Sequence, residues 1–169
     1  REPPASLRRA DILLRTGGAE NGEPLREAAS LPSFRAIHKP QGVIAGETER
    51  IETFAALRGQ KVFAFAGIGS PEAFRRSLTE LGAAVVGFRA FPDHHRYGRS
   101  DIENLRRLAT ESGAARIVTT EKDGIRLADF PDFLAELFLL RIAMEITPAG
   151  PFSELVSWRL ADKKGKDIA

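Results

Sequence analysis

The 169-residue chain has no cysteine and only one methionine, one tryptophan and one tyrosine. Without cysteine there is no disulfide framework and no thiol nucleophile, a composition that fits a reducing compartment. No stretch approaches the roughly 20 apolar residues of a membrane-spanning helix, and the first residues do not read as a secretory leader. The signature G-x-x-x-x-G-K-[ST] is absent from the sequence, so no phosphate cradle of that kind is expected in it. A strong charge of one sign is lacking too. Lys and Arg number 25 against 23 Asp and Glu, a formal net charge of +2, which argues against nucleic acid as a partner. Histidine is scarce, and two of the three stand side by side at His94 and His95.

What is present supports a real core. Hydrophobic residues make up 43% of the chain, as expected for one ordinary domain with at most a small appendage. The opening at Arg1 is expected to be a cut within a longer protein. Early in the chain, Ala5–Ala10 reads as a short helical turn behind Pro3 and Pro4, and Asp11–Thr16 as a strand ended by Gly17 and Gly18. Glu23–Ala29 suggests a short helix, Phe34–Ile44 an edge strand or ribbon demoted by Pro40, and Ile51–Leu57 another short helix. From Lys61 the pattern firms. Val62–Ala66 is a continuous apolar run suited to a strand buried on both faces. Further strands are expected near 84–88, 116–119 and 138–146, separated by helices after Ser70 and from Ser100, with a closing helix over Phe152–Leu160. This alternation predicts an α/β, Rossmann-like, mostly parallel sheet flanked by helices, preceded by a small N-terminal appendage that includes a β-ribbon. The division expected is 1–60 as a core end with linker and ribbon, 61–162 as the Rossmann-like lobe, and 163–169 as a polar tail.

Three short stretches carry possible chemistry, all just past predicted strand ends, where open α/β sheets bind ligands. Gly67-Ile68-Gly69 is similar to the start of a dinucleotide loop, but Glu72 occupies the place of the third glycine, and a tight turn suffices to explain the pair. Asp93-His94-His95 admits an imidazole positioned by a carboxylate for proton transfer, a partial metal site, or a solvated loop capped by Asp93. Thr119-Thr120-Glu121-Lys122-Asp123 could shape a polar site, though capping of the following helix is the simpler reading. The pairs Arg75-Arg76 and Arg106-Arg107 lie opposite apolar helix positions and read as solvated faces.

Taken in order, Phe65-Ala66-Gly67-Ile68-Gly69-Ser70-Pro71, Phe74, Phe91-Pro92-Asp93-His94-His95 and Thr119-Thr120-Glu121-Lys122-Asp123 resemble the C-terminal half of the tetraacyldisaccharide 4'-kinase (lipid A 4'-kinase) family. Arg1-Glu2-Pro3 resembles the stretch that follows that family's catalytic core. The resemblance implies a two-lobed enzyme of Gram-negative bacteria whose N-terminal lobe carries the P-loop, the magnesium ligands and an aspartate base. ATP and Mg2+ would then be bound mainly by that absent lobe. The implied reaction moves the γ-phosphate of ATP to the 4'-hydroxyl of a lipid A disaccharide precursor, peripherally at the cytoplasmic face of the inner membrane. It further implies that His94 reaches across to the aspartate base, that Asp93 supports the loop, and that His95 has a weaker claim. Roles for Thr119, Thr120, Glu121, Lys122 and Asp123 are not assigned by it. A segment without the phosphate cradle is expected to be silent alone, because positioning and charge neutralisation supply most of the rate in phosphoryl transfer. Two other classes stand beside this reading. One is a Rossmann-like binding domain without chemistry, and the other is an Asp-His-His phosphoesterase, which requires further metal ligands that Asp11 and His38 do not supply in any motif.

Overall fold

The computed structural model describes residues 2–16, 30–46, 48 and 50–166, so the helix expected over Glu23–Ala29 and the Gly17-Gly18 stop lie outside the described residues. The chain divides into two compact units, Arg1–Lys39 with Met144–Ala169, and Pro40–Ala143.

The unit Pro40–Ala143 holds the firm part of the pattern. Strand β4 (Lys61–Ala66) pairs in parallel with β5 (Ala84–Ala90) on one side and with β6 (Arg116–Thr120) on the other. Strand β6 in turn pairs in parallel with β7 (Leu137–Thr147), giving the order β7-β6-β4-β5. The expected mostly parallel α/β sheet is therefore present. Successive side chains of a strand point to opposite faces, and β4 shows the consequence. Phe63 and Phe65 join Tyr97, Ile102, Leu105, Leu127 and Phe133 in one core, while Val62, Ala64 and Ala66 join Phe74, Leu78 and Leu140 in another. The helices that cover these faces are amphipathic as the sequence requires. Helix α1 (Pro71–Glu80) buries Phe74 and Leu78, and α2 (Arg99–Glu111) buries Ile102, Leu105 and Ala109. Two shorter helices follow, α3 (Glu121–Arg126) directly after β6, and α4 (Pro131–Ala135) before β7. Ser70 occupies the position before α1, but its side chain makes no capping hydrogen bond there.

Ile51–Leu57 departs from the expected helix. Ile51–Glu52 is instead a two-residue strand, β3, antiparallel to Val43 and Ile44, and only Phe54–Ala56 coils, as a 3-10 turn. The partner strand β2 (Ser33–Ala45) supplies the pairing edge that local sequence cannot reveal. Pro40 lies beyond Ser33–Ala36, the part of β2 that pairs with Leu13–Thr16, so its missing N–H costs no ladder bond on that side.

In the other unit, β1 (Leu13–Thr16) runs parallel to Ser33–Ala36. Helix α5 (Ala149–Lys166) extends past Leu160 through residues 163–166, and Phe152 packs edge-on against Phe34 at 5.3 Å between ring centres. Ion pairs Lys39–Glu145 at 2.8 Å and Arg159–Asp11 at 3.6 Å lie within this unit. Among the described residues no helix is long and apolar enough to cross a membrane.

Candidate functional site

Because β4, β5 and β6 are parallel, their carboxyl ends share one edge, and the three motif stretches meet there. Gly67 follows β4, the Asp93-His94-His95 loop follows β5, and Thr120 opens α3 after β6. The loop is folded back onto the glycine turn: Phe91 N–H donates to Ala66 O at 2.9 Å and His94 N–H to Gly67 O at 3.1 Å.

The two histidines have opposite surroundings. His95 is three-quarters buried, with its side chain 25% exposed and Nε2 3.0 Å from Asp101 Oδ2. Its ring stacks on Phe91 at 4.5 Å between centres and meets Tyr97 edge-on at 5.1 Å. Asp101 also accepts the Gly98 N–H at 2.9 Å, which caps α2. Burial works against the charge on Asp101, but the Gly98 N–H, the His95 imidazole and the Arg89 charge outweigh it and hold the carboxyl below its ordinary range. His94, in contrast, has an 82% exposed side chain and sits in the left-handed region at φ 60, where few non-glycine residues are found. That backbone turn aims its imidazole out of the loop. Asp93 holds neither ring within hydrogen-bond reach. Its Oδ1 accepts the His94 N–H at 3.0 Å, while Oδ2 stays 3.7 Å from His94 Nε2.

Beneath the loop lies a carboxylate whose role the sequence does not reveal. Asp123 is fully buried and draws together every part of the edge. It accepts from the Gly67 N–H at 3.2 Å, the Tyr97 hydroxyl at 3.0 Å, the Thr120 hydroxyl at 2.7 Å and Arg126 Nη1 at 3.0 Å. Its own N–H donates to Thr120 Oγ1 at 3.1 Å, so the expected cap of α3 is present and is only part of what the motif does. Burial pushes the Tyr97 phenol far up, and the Asp123 charge beside it adds to the effect. Arg126 Nη1 also donates to Gly67 O at 2.7 Å, and Nη2 lies 3.3 Å from His94 Nδ1. Thr119 donates its hydroxyl to Phe65 O at 2.8 Å, tying β6 to β4. Glu121 turns to Arg141 instead, at 2.7 Å.

Tyr97, Asp101 and Arg126 are the site residues that sequence reasoning passed over. For Arg126 the one local signal is its place three residues after Asp123, one helical turn on. The turn glycines also acquire a different reason. Neither Gly67 nor Gly69 has a positive φ, but a Cβ on Gly67 would lie 3.0 Å from Tyr97 Oη and 3.2 Å from Asp123 Oδ1. Close packing around Asp123, more than turn geometry, crowds a side chain there.

As a phosphate or cation site this edge is poorly furnished. Asp93 Oδ2 would stand 3.3 Å from a Cβ on Gly69, and Glu72 lies in the first turn of α1. Both carboxylates repel a phosphate at the helix N-terminus that otherwise attracts one. Among the described residues no three His, Asp or Glu converge to hold a metal ion.

Residues 1–161 match the sequence profile of tetraacyldisaccharide-1-P 4'-kinase. The chain belongs to this family. It is 42% identical over 177 residues to the tetraacyldisaccharide 4'-kinase of Syntrophus aciditrophicus, covering 96% of this chain and 47% of that protein. It is 43% identical over 154 residues to the enzyme of that name from an Anaeromyxobacter species, covering 86% and 41%. The fold is similar to a crystal structure of Aquifex aeolicus LpxK in complex with ATP, with a TM-score of 0.61 and 27% identity over 93% of this chain and 45% of that one. The chain thus spans about half the length of its 4'-kinase relatives.

Proposed function

We propose that this chain is the C-terminal part of a lipid A 4'-kinase, and that it presents His94 to an aspartate base in the rest of the enzyme. The observation that carries this reading is the outward, left-handed setting of His94 at the carboxyl edge, while its neighbour His95 is locked inward by Asp101. An imidazole held outside the loop can reach a second lobe, and one held by Asp101 cannot.

In the reaction, the 4'-hydroxyl of a tetraacyldisaccharide 1-phosphate attacks the γ-phosphorus of ATP, its proton passes to the carboxylate base, and ADP leaves. His94 orients that base, and Asp93 shapes the loop by accepting the His94 N–H. The phosphate cradle and the Mg2+ ligands belong to the portion of the relatives that this chain does not span, so the chain alone is inactive. Residues 1–60 then complete the kinase core and link it to the Rossmann-like lobe over 61–162. The enzyme works peripherally at the cytoplasmic face of the inner membrane, where its lipid acceptor lies.

The test is steady-state kinetics of His94→Ala in the full-length kinase beside its thermal melt. General acid–base assistance is worth on the order of 10²–10⁴ in rate, so kcat should fall at least about 100-fold with KM for ATP and melting temperature unchanged. Normal turnover, or a loss proportional to unfolded protein, refutes the assignment.

A further inference from the structure

We propose that Arg126 is a positioning residue that clamps the His94 imidazole, and that the buried Asp123 exists to hold the clamp. This rests on the reading of His94 above and assigns a role to the last residue of the Thr119–Asp123 motif.

The geometry runs outward from the core. Asp123 is fully buried, so its charge requires partners, and Arg126 is the cation among them, with its side chain 22% exposed. One guanidinium nitrogen, Nη1, is spent on Asp123 Oδ1 at 3.0 Å and Gly67 O at 2.7 Å. Those two bonds fix the guanidinium plane and direct Nη2 to His94 Nδ1 at 3.3 Å. Arginine has only N–H groups to offer. His94 Nδ1 is therefore the accepting nitrogen, and Nε2 carries the hydrogen. The face that His94 turns outward is a donor, suited to a carboxylate acceptor and unsuited to taking the sugar proton itself. The clamp also restricts an imidazole that is 82% exposed and otherwise has only the longer 3.7 Å approach of Asp93 Oδ2 to its Nε2 among the described residues.

A lysine at this position keeps a cation beside Asp123, but it lacks the planar fork by which Nη2 reaches His94 while Nη1 holds Asp123 and Gly67. The test is a double-mutant cycle in the full-length kinase with Arg126→Lys, His94→Ala and the double variant, each with its melt. Arg126→Lys should lower kcat about 10²-fold, the scale set by small misplacements of catalytic groups, with KM for ATP and melting temperature unchanged. In the His94→Ala background the same change should have no further effect. Multiplying effects, or wild-type turnover of Arg126→Lys while His94→Ala is impaired, would overturn the clamp and leave the role of His94 standing. Normal turnover of His94→Ala overturns both. A second readout needs no variant. Nitrogen-15 spectra of this chain should show His94 with its hydrogen on Nε2 and an accepting Nδ1; a hydrogen on Nδ1 refutes the proposal.

Discussion

Replacing His95 by alanine should destabilise this chain while the same change at His94 should not. The His95 imidazole is lost from a 3.0 Å contact with Asp101 and from a ring stack with Phe91 at 4.5 Å. A hydrogen bond to a charged partner contributes about 1.5–3 kcal/mol, and an aromatic pair about 0.5–1.5 kcal/mol. The loss is reduced because Asp101 keeps the Gly98 N–H and is 28% exposed, so water can replace the imidazole. A net cost of about 2 kcal/mol follows, which for a domain of this size lowers Tm by about 4–8 °C. His94 buries little, and its removal should stay within about 0.5 kcal/mol, or about 2 °C. Differential scanning calorimetry of the three proteins at neutral pH decides the matter. Equal losses at the two positions, or an unchanged Tm for His95→Ala, would refute the division into an anchoring and a presented histidine.

Two further outcomes are expected. Asp101→Asn should cost about 1 kcal/mol at neutral pH. Because the folded carboxyl titrates below its ordinary value of 3.8, its stabilisation is complete above that pH and is lost as pH falls through the lower folded value. Chemical denaturation of wild type and variant should therefore show a gap that persists down to about pH 4 and closes only below it; a gap that closes between pH 7 and 5 contradicts the assignment. This chain alone should bind MgATP weakly or not at all, since carboxylates flank the Gly67–Gly69 turn at the start of α1. Micromolar affinity by titration calorimetry would show that the Gly67–Gly69 turn has been misread.

The sequence by itself determined the elements whose signal is local. The apolar run Val62–Ala66 reads as a strand buried on both faces, and the spacing of Ile102, Leu105 and Leu108 as one face of a helix. Parallel order then followed from alternation, and with it the meeting of three motifs at one edge. Where the signal was not local, the reading failed or stopped. Ile51–Glu52 is a strand because Val43 and Ile44 offer it an edge, a fact absent from its own residues. The same holds for the site. Thr120 as a cap was legible within three residues, but Asp123 reaches Gly67 across 56 positions, and Arg126 reaches His94 across 32. Apart from the family resemblance, which singles out His94, nothing in the Asp93-His94-His95 triplet distinguishes its two imidazoles. Tertiary structure does so by pairing one with the part-buried Asp101 and turning the backbone of the other outward, because packing, unlike periodicity, is settled only once distant strands have brought their ends together.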